Sequence, residues 1–168
     1  AVLDAIEGDA PDYLFSFYFR KMLPERWLKV GRRGALNLHG SMLPAYRGRC
    51  PVNWVLVNGE ASTGVTLHEM DVRPDHGRVV AQEPVDIEPD DTALSLSRRL
   101  EAAARSMLAE VLQRLESEST TAIEQDHRRS SYFGGRRPED GRIDWTRPAR
   151  CVFDLVRAVT APWPGAST

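Results

Sequence analysis

The sequence Ala35-Leu-Asn-Leu-His-Gly-Ser-Met-Leu-Pro-Ala-Tyr-Arg-Gly-Arg49 joins a short apolar run to a loop that contains proline and glycine. The apolar run predicts a β-strand, in which Asn37 and His39 lie two residues apart and therefore on the same face. The glycine and serine that follow His39 end the strand. An amide and an imidazole are thus presented together at a strand end, where open α/β sheets bind their ligands.

The flanking sequence predicts further strands. Asp12–Phe19 is aromatic and almost continuously apolar, which favours a strand buried on both faces in a parallel sheet. Gly64–Met70 alternates apolar and polar residues, as a half-buried strand does. Arg78–Ile87 returns as the second strand of a hairpin, and Pro84 places that strand at a sheet edge. Pro51–Gly59 begins with proline and ends at Asn-Gly, which predicts a two-turn helix.

Two more helices are predicted after the hairpin. A long one begins after Thr92 and ends near Glu116, with an apolar face made by Leu96, Leu100, Ala103, Met107, Val111 and Leu115. Residues 117–141 are polar and are interpreted as a linker or a surface loop outside the core. A short amphipathic helix from Arg150 to Thr160 is built on Val152, Phe153, Leu155, Val156 and Val159.

The composition excludes several classes of function. The formal charge of −2 over 168 residues gives no electrostatic reason to expect nucleic acid or an anionic membrane as partner. No apolar run reaches the ~20 residues of a membrane span, and no signal peptide is visible. Cys50 and Cys151 are too few for a disulfide framework and lack the spacing of zinc ligands. We therefore expect a cytoplasmic protein.

The titratable residues suggest a chemistry for Asn37 and His39. Asp75, 36 positions after His39 in a turn between two strands, could fix the tautomer of the imidazole if parallel-sheet geometry brings that turn over the strand end. The other ring nitrogen could then move a proton, and the Asn37 amide could donate to an oxyanion. This set suits acyl-type transfer to an amine without a covalent enzyme intermediate.

A structural interpretation of the same residues stays open at this stage. An Asn-X-His sequence at a strand end is most often a turn with a satisfied histidine. His68 alternates with apolar residues and is interpreted as a strand-face residue, while His127 lies in a run of charges and is expected in solvent. His76, next to Asp75, is the rival of His39 for the catalytic role. The four histidines give no metal signal.

The ordered set Asn37-Leu-His39, Gly40–Pro44, Tyr46–Gly48, Thr63–Thr66 and Asp75 resembles the 10-formyltetrahydrofolate-dependent formyltransferase family. The resemblance implies a Rossmann-like α/β fold. It begins after the family's first βαβ units, so only part of the fold is expected in this sequence. It implies Asn37 as oxyanion stabiliser, His39 as proton-transfer residue and Asp75 as its partner. The expected division is a catalytic core over residues 1–131 and the start of a C-terminal subdomain over residues 132–168.

Three further segments, Phe15–Arg20, Arg47–Trp54 and Tyr132–Gly141, are most similar to sugar-nucleotide formyltransferases. This implies formyl transfer from 10-formyltetrahydrofolate to an amino-sugar nucleotide such as UDP-4-amino-4-deoxy-L-arabinose, in lipid A modification. The positions that match the family's folate contacts are Lys21, Met22, Leu23, Arg49, Asp71, Val72, Arg73 and Pro74. At the position of Lys21, the sugar-nucleotide formyltransferase that this sequence most resembles has a histidine.

Other activities of the family remain alternatives. Methionyl-tRNA formyltransferases share the Asn-His-Asp set, but they typically follow the histidine with Ala-Ser rather than the Gly40-Ser41 of this chain. Formyl transfer to another amine, hydrolysis of the folate donor, and a non-catalytic folate- or nucleotide-binding domain are the others. The acceptor amine and the oligomeric state cannot be deduced from the sequence.

Overall fold

A four-stranded mixed sheet organises the computed structural model, which describes residues 9–168. The strands, numbered in chain order, are β1 (Tyr13–Phe17), β2 (Gly34–His39), β3 (Arg47–Gly48), β4 (Ser62–Glu69), β5 (Val79–Asp86) and β6 (Tyr132–Phe133). The main sheet has the order β1-β2-β4-β5. β1 is parallel to β2, whereas β2 with β4 and β4 with β5 are antiparallel. The predicted β4–β5 hairpin is therefore confirmed, with Pro84 on the edge strand.

Residues 9–168 contain four α-helices: α1 (Glu25–Leu28), α2 (Pro51–Val57), α3 (Ala93–Glu116) and α4 (Ala149–Val159). The predicted bounds of α3 are confirmed. Thr92 and Ser95 cap its first turn reciprocally, each side chain accepting the other's backbone N–H. The buried face of α3 joins the apolar core of the sheet and contains Leu96, Leu100, Ala104, Met107, Val111 and Leu115. Ala104 takes the place expected for Ala103, which is only partly buried.

Two predictions about burial are wrong, because the position of a strand within its sheet decides how much of it is covered. β1 lies at the edge of the described sheet, and of its five residues only Ser16 is buried. Phe17 is 48% exposed. β4 lies between β2 and β5, and six consecutive residues, Thr63–His68, are buried. The alternation in its sequence is therefore not an alternation between core and solvent.

Residues 117–141 are more than a linker. β6 pairs in parallel with β3, so this segment lies directly against the loop that follows β2. Gly48 in β3 has φ +98° and lies so close to the Phe133 carbonyl that a side chain at this position would collide with it. The segment also brings the buried Gln125 into the interior.

The face on which α4 packs differs from the predicted apolar face. Phe153 and Val156 are 46% and 41% exposed, whereas Asp154 and Arg157 are buried together with Ala158 and Val159. Arg157 donates to Asp154 across 2.8 Å. Arg157 also donates to two backbone carbonyls just before α3, at Glu88 and Asp91. The ion pair lies within α4, and the two bonds from Arg157 to the segment before α3 join this face of the helix to the rest of the fold.

In the part of the chain that the structure describes, no helix is long and apolar enough to cross a membrane. Cys50 and Cys151 are both free thiols.

Candidate active site

Asn37 and His39 extend from the same face of β2, as the strand period predicts. On the neighbouring strand β4, His68 is the register partner of Asn37. The Nδ1–H of His68 donates to the carbonyl of Glu69 at 2.7 Å. The Asn37 amide lies 3.1 Å from the other ring nitrogen of His68, Nε2, which also faces Asp75. Asn37 is only partly buried.

Asp75 completes the cluster from the loop between β4 and β5. Its Oδ1 lies 3.6 Å from Nδ1 of His39 and 3.5 Å from Nε2 of His68. Its Oδ2 accepts the backbone N–H of Gly48 at 2.7 Å. The approach differs from the predicted parallel-sheet geometry. Because β4 is antiparallel to β2, the loop leaves β4 near the start of β2 and folds back across the sheet face to reach His39.

Neither ring nitrogen of His39 is free, contrary to the prediction. Nε2 lies 2.8 Å from the backbone carbonyl of Tyr46, which can only accept, so Nε2 carries a proton. The loop that supplies this carbonyl is fixed by Ser41, whose hydroxyl donates to the carbonyls of Ala45 and Tyr46. A second proton on His39 must therefore reside on Nδ1, facing Asp75.

Burial and charge act on His39 and Asp75 in opposite directions. Burial lowers the pKa of His39 below its ordinary value, although Asp75 and the Tyr46 carbonyl raise it. Burial raises the pKa of Asp75, but the hydrogen bond with His68, the charge of His39 and the Gly48 N–H together leave this pKa below its ordinary value. At neutral pH the site thus holds an ionised carboxylate beside a neutral imidazole. Uptake of one proton creates a buried imidazolium–carboxylate pair.

The residues predicted to contact folate fall into three places. Asp71, Val72, Arg73 and Pro74 belong to the same loop as Asp75, and the Asp71 carboxylate accepts the Arg73 N–H at 2.6 Å. Arg49 is exposed beyond β3, with its guanidinium against Gly135. Lys21 and Met22 are exposed and Leu23 is partly buried in the loop after β1. Among the described residues, no hydrogen bond links residues 21–23 to residues 71–75.

His68 is the member of this cluster that sequence reasoning missed. It is 1% exposed and touches both Asn37 and Asp75. Its position in an alternating strand gave no sign of this, because the register between β2 and β4 is needed to place it opposite Asn37. The rival histidine His76 instead lies 3.1 Å from Asp71 and stacks on His127.

Taken together, the cluster can polarise a carbonyl-derived group. A partly buried amide supplies a hydrogen-bond donor, and the buried His39 imidazole, when protonated beside the Asp75 carboxylate, supplies a positive charge. Donors that are fixed before reaction stabilise a developing oxyanion without reorganisation.

Family models identify the class of protein. A model described as formyl transferase matches residues 1–112, and a model described as formyl transferase, C-terminal domain, matches residues 136–168. The chain belongs to the formyl transferase family. The predicted family and its Rossmann-like α/β fold are confirmed.

Solved structures share the fold at low sequence identity. A candidate sugar N-formyltransferase from Mycobacterium tuberculosis (Rv3404c) matches with a TM-score of 0.83 and 22% identity, over 99% of this chain and 73% of that chain. A 4-N formyltransferase from Francisella tularensis matches with a TM-score of 0.84 and 21% identity, over 98% and 67%. A Helicobacter canadensis N-formyltransferase in complex with folinic acid and dTDP-3-aminofucose matches with a TM-score of 0.77 and 24% identity, over 86% and 53%. The chain thus spans between about half and three quarters of these proteins.

Proposed function

We propose that this chain carries the catalytic residues of an enzyme that transfers the formyl group of 10-formyltetrahydrofolate to the primary amine of an amino-sugar nucleotide. The observation that carries the proposal is the convergence of Asn37, His39 and Asp75 on one buried spot. Membership of the formyl transferase family supports the formyl group as the group that is transferred. Likeness to sugar N-formyltransferases, one crystallised with a folate and a dTDP-amino sugar, supports the acceptor class.

Within that class, we propose a UDP-4-amino-4-deoxy-L-arabinose-like acceptor. The support is the similarity of Arg47–Trp54 and Tyr132–Gly141 to formyltransferases of this type, together with the likeness to a 4-N formyltransferase. The role in lipid A modification and the cytoplasmic location stay predictions. So does the division into a core of residues 1–131 and a C-terminal subdomain that starts at residue 132.

The proposed reaction begins with attack of the acceptor amine on the formyl carbon of the donor substrate. Asn37 donates an amide N–H to the oxyanion of the tetrahedral intermediate, and protonated His39 stabilises the same charge. Asp75 holds the imidazolium by its negative charge across 3.6 Å. As the bond to folate N10 breaks, N10 gains a proton and the amine loses one, so the products are tetrahydrofolate and an N-formyl sugar.

For the donor we propose contacts at Lys21, Met22, Leu23, Arg49 and residues 71–74. Residues 71–74 are the best supported of these, because their loop also carries Asp75. Val72, three residues before Asp75 in this loop, is apolar and 66% exposed.

The test is mass spectrometry of an acceptor panel with the full-length protein and 10-formyltetrahydrofolate. The panel contains UDP-4-amino-4-deoxy-L-arabinose, a dTDP-4-amino sugar, a dTDP-3-amino sugar and methionyl-tRNA. We expect a mass gain of one formyl group on an amino-sugar nucleotide, and more of it on the UDP-linked 4-amino sugar than on the others.

Each alternative has its own signature in the same experiment. Formate release that does not depend on any amine indicates a hydrolase of the folate donor. Formylation of methionyl-tRNA alone indicates the tRNA-directed class. Tight folate binding with no formylated product from any member of the panel indicates a binding domain, and either of the last two results overturns the amino-sugar proposal.

A further inference from the structure

The loop that carries Asp75 is held by a side chain 50 residues further along the chain. The amide Nε2 of Gln125 donates to the backbone carbonyl of Asp75 at 3.0 Å and to that of Gly77 at 2.6 Å. Gln125 is 6% exposed, so these bonds form away from competing water. One amide thus fixes the backbone on both sides of His76.

Asp75 adopts a backbone conformation that most residues with a Cβ avoid. Its φ is +52°, in the left-handed region, which aspartate tolerates better than most residues and which the two bonds from Gln125 help to hold. In this conformation the Asp75 carboxylate faces His39 and His68 on one side and the Gly48 N–H on the other.

Arg47 determines which way the Gln125 amide points. Nε and Nη2 of Arg47 both donate to Oε1 of Gln125, at 3.2 and 2.6 Å. A guanidinium only donates, so the oxygen of the amide must face Arg47 and its NH₂ must face the two carbonyls. Arg47 itself is 1% exposed and is fixed by donation to Tyr132 Oη at 3.0 Å and to His127 Nδ1 at 2.9 Å.

We propose that Gln125 is a positioning residue that, oriented by Arg47, holds Asp75 against His39. Gln125 acts through the loop backbone and reaches neither His39 nor the Asp75 carboxylate by a hydrogen bond of its own. The inference rests on the proposed function only for its effect on rate. Its effect on His39 is a property of the protein without substrates.

The test compares Gln125→Met with Gln113→Met by NMR titration of the His39 ring. Methionine keeps the length of the side chain and adds no charge, but it removes both the donor and the acceptor of Gln125. Gln113 is the control, because it is an exposed residue of α3 and belongs neither to the Asp75 loop nor to the loop after β2.

We expect the His39 titration to move to lower pH in Gln125→Met, because the carboxylate that favours its protonated form is no longer held beside it. In Gln113→Met the titration should stay in place. An unchanged His39 titration in a folded Gln125→Met protein overturns the proposal. If Gln125→Met does not fold, Gln125→Asn replaces it in the test. Asparagine keeps the amide but is one methylene shorter, so the amide lies too far from the Asp75 and Gly77 carbonyls to hold them. An unchanged His39 titration in this variant also overturns the proposal.

Kinetics separate positioning from general stability. We expect kcat for formyl transfer to fall about ten- to a hundredfold in Gln125→Met, with KM for the amine acceptor nearly unchanged. In the background of Asp75→Asn the same substitution should cause little further loss, because both act on one carboxylate. Fully additive losses overturn the proposal. If the wild-type protein formylates no amine, the proposed function fails while the NMR titration still decides the role of Gln125.

Discussion

The variant Asp75→Asn removes one charge from the candidate site and leaves the shape of the side chain unchanged. The Gly48 N–H donates to Oδ2 of Asp75 at 2.7 Å. An asparagine must turn its amide oxygen to this donor. Its NH₂ group then faces Nδ1 of His39 and Nε2 of His68, in the place where Oδ1 stands in the wild type. The amide donates to the lone pair of a neutral imidazole and opposes its protonation.

The distance between His39 and Asp75 sets the size of the effect. At 3.6 Å, with an effective dielectric constant of about 20, an imidazolium–carboxylate attraction is about 4 to 5 kcal/mol. Both side chains are largely buried, at 7% and 13% exposure, so water screens the pair weakly. If transition-state stabilisation needs protonated His39, loss of this attraction slows formyl transfer by about a thousandfold.

The assay is the rate of formylated product formation by the full-length protein at saturating donor and acceptor. Asp126→Asn is the matched control, because Asp126 is an exposed carboxylate that pairs with Arg128 outside the site. We expect a loss of about a thousandfold in Asp75→Asn and almost none in Asp126→Asn. A rate for Asp75→Asn within tenfold of wild type, in a folded protein, would refute the electrostatic reasoning.

Three predictions concern stability, each read from urea unfolding. Asp154→Ala leaves the buried guanidinium of Arg157 without its carboxylate and should lower the free energy of unfolding by about 3 to 5 kcal/mol. Arg150→Ala removes the exposed partner of Asp154 and should lower it by less than about 1 kcal/mol. Equal losses would contradict the assignment of Asp154 as the partner of a buried charge. Because burial holds the pKa of His39 below its ordinary value of about 6.5, the unfolded chain binds more protons than the folded one as the pH falls below that value. The free energy of unfolding should therefore decrease on acidification, and it should decrease less steeply in His39→Gln than in the wild type. The same dependence on pH in both proteins would contradict this assignment to His39. Thr92→Ala removes the cap of α3 and should cost about 1 kcal/mol; no measurable change would show that the cap is dispensable.

Local signals explain what could be predicted of the fold. The bounds of α3 follow from Thr92 and a periodic apolar face, both readable within a few residues. The β4–β5 hairpin follows from two apolar segments and a polar turn. Asn37 and His39 lie on one face because a strand has a period of two.

What could not be predicted depends on contacts between distant segments. His68 meets Asn37 only through the antiparallel register of β2 and β4, which no local pattern determines. Gln125 lies in a polar segment that resembles a linker, yet it is buried against Arg47 and the Asp75 loop. The predicted face of α4 was wrong because Arg157, paired with Asp154 in the same helix, is buried against the distant segment before α3.

The central claim is that His39, and not the neighbouring His76, carries formyl transfer. The most direct measurement compares formylation of an amino-sugar nucleotide by full-length His39→Ala and His76→Ala under identical conditions, with circular dichroism to verify folding. The account predicts no detectable product from folded His39→Ala and turnover within a few-fold of wild type from His76→Ala. Near-wild-type turnover by His39→Ala, or loss of turnover in His76→Ala alone, would contradict it.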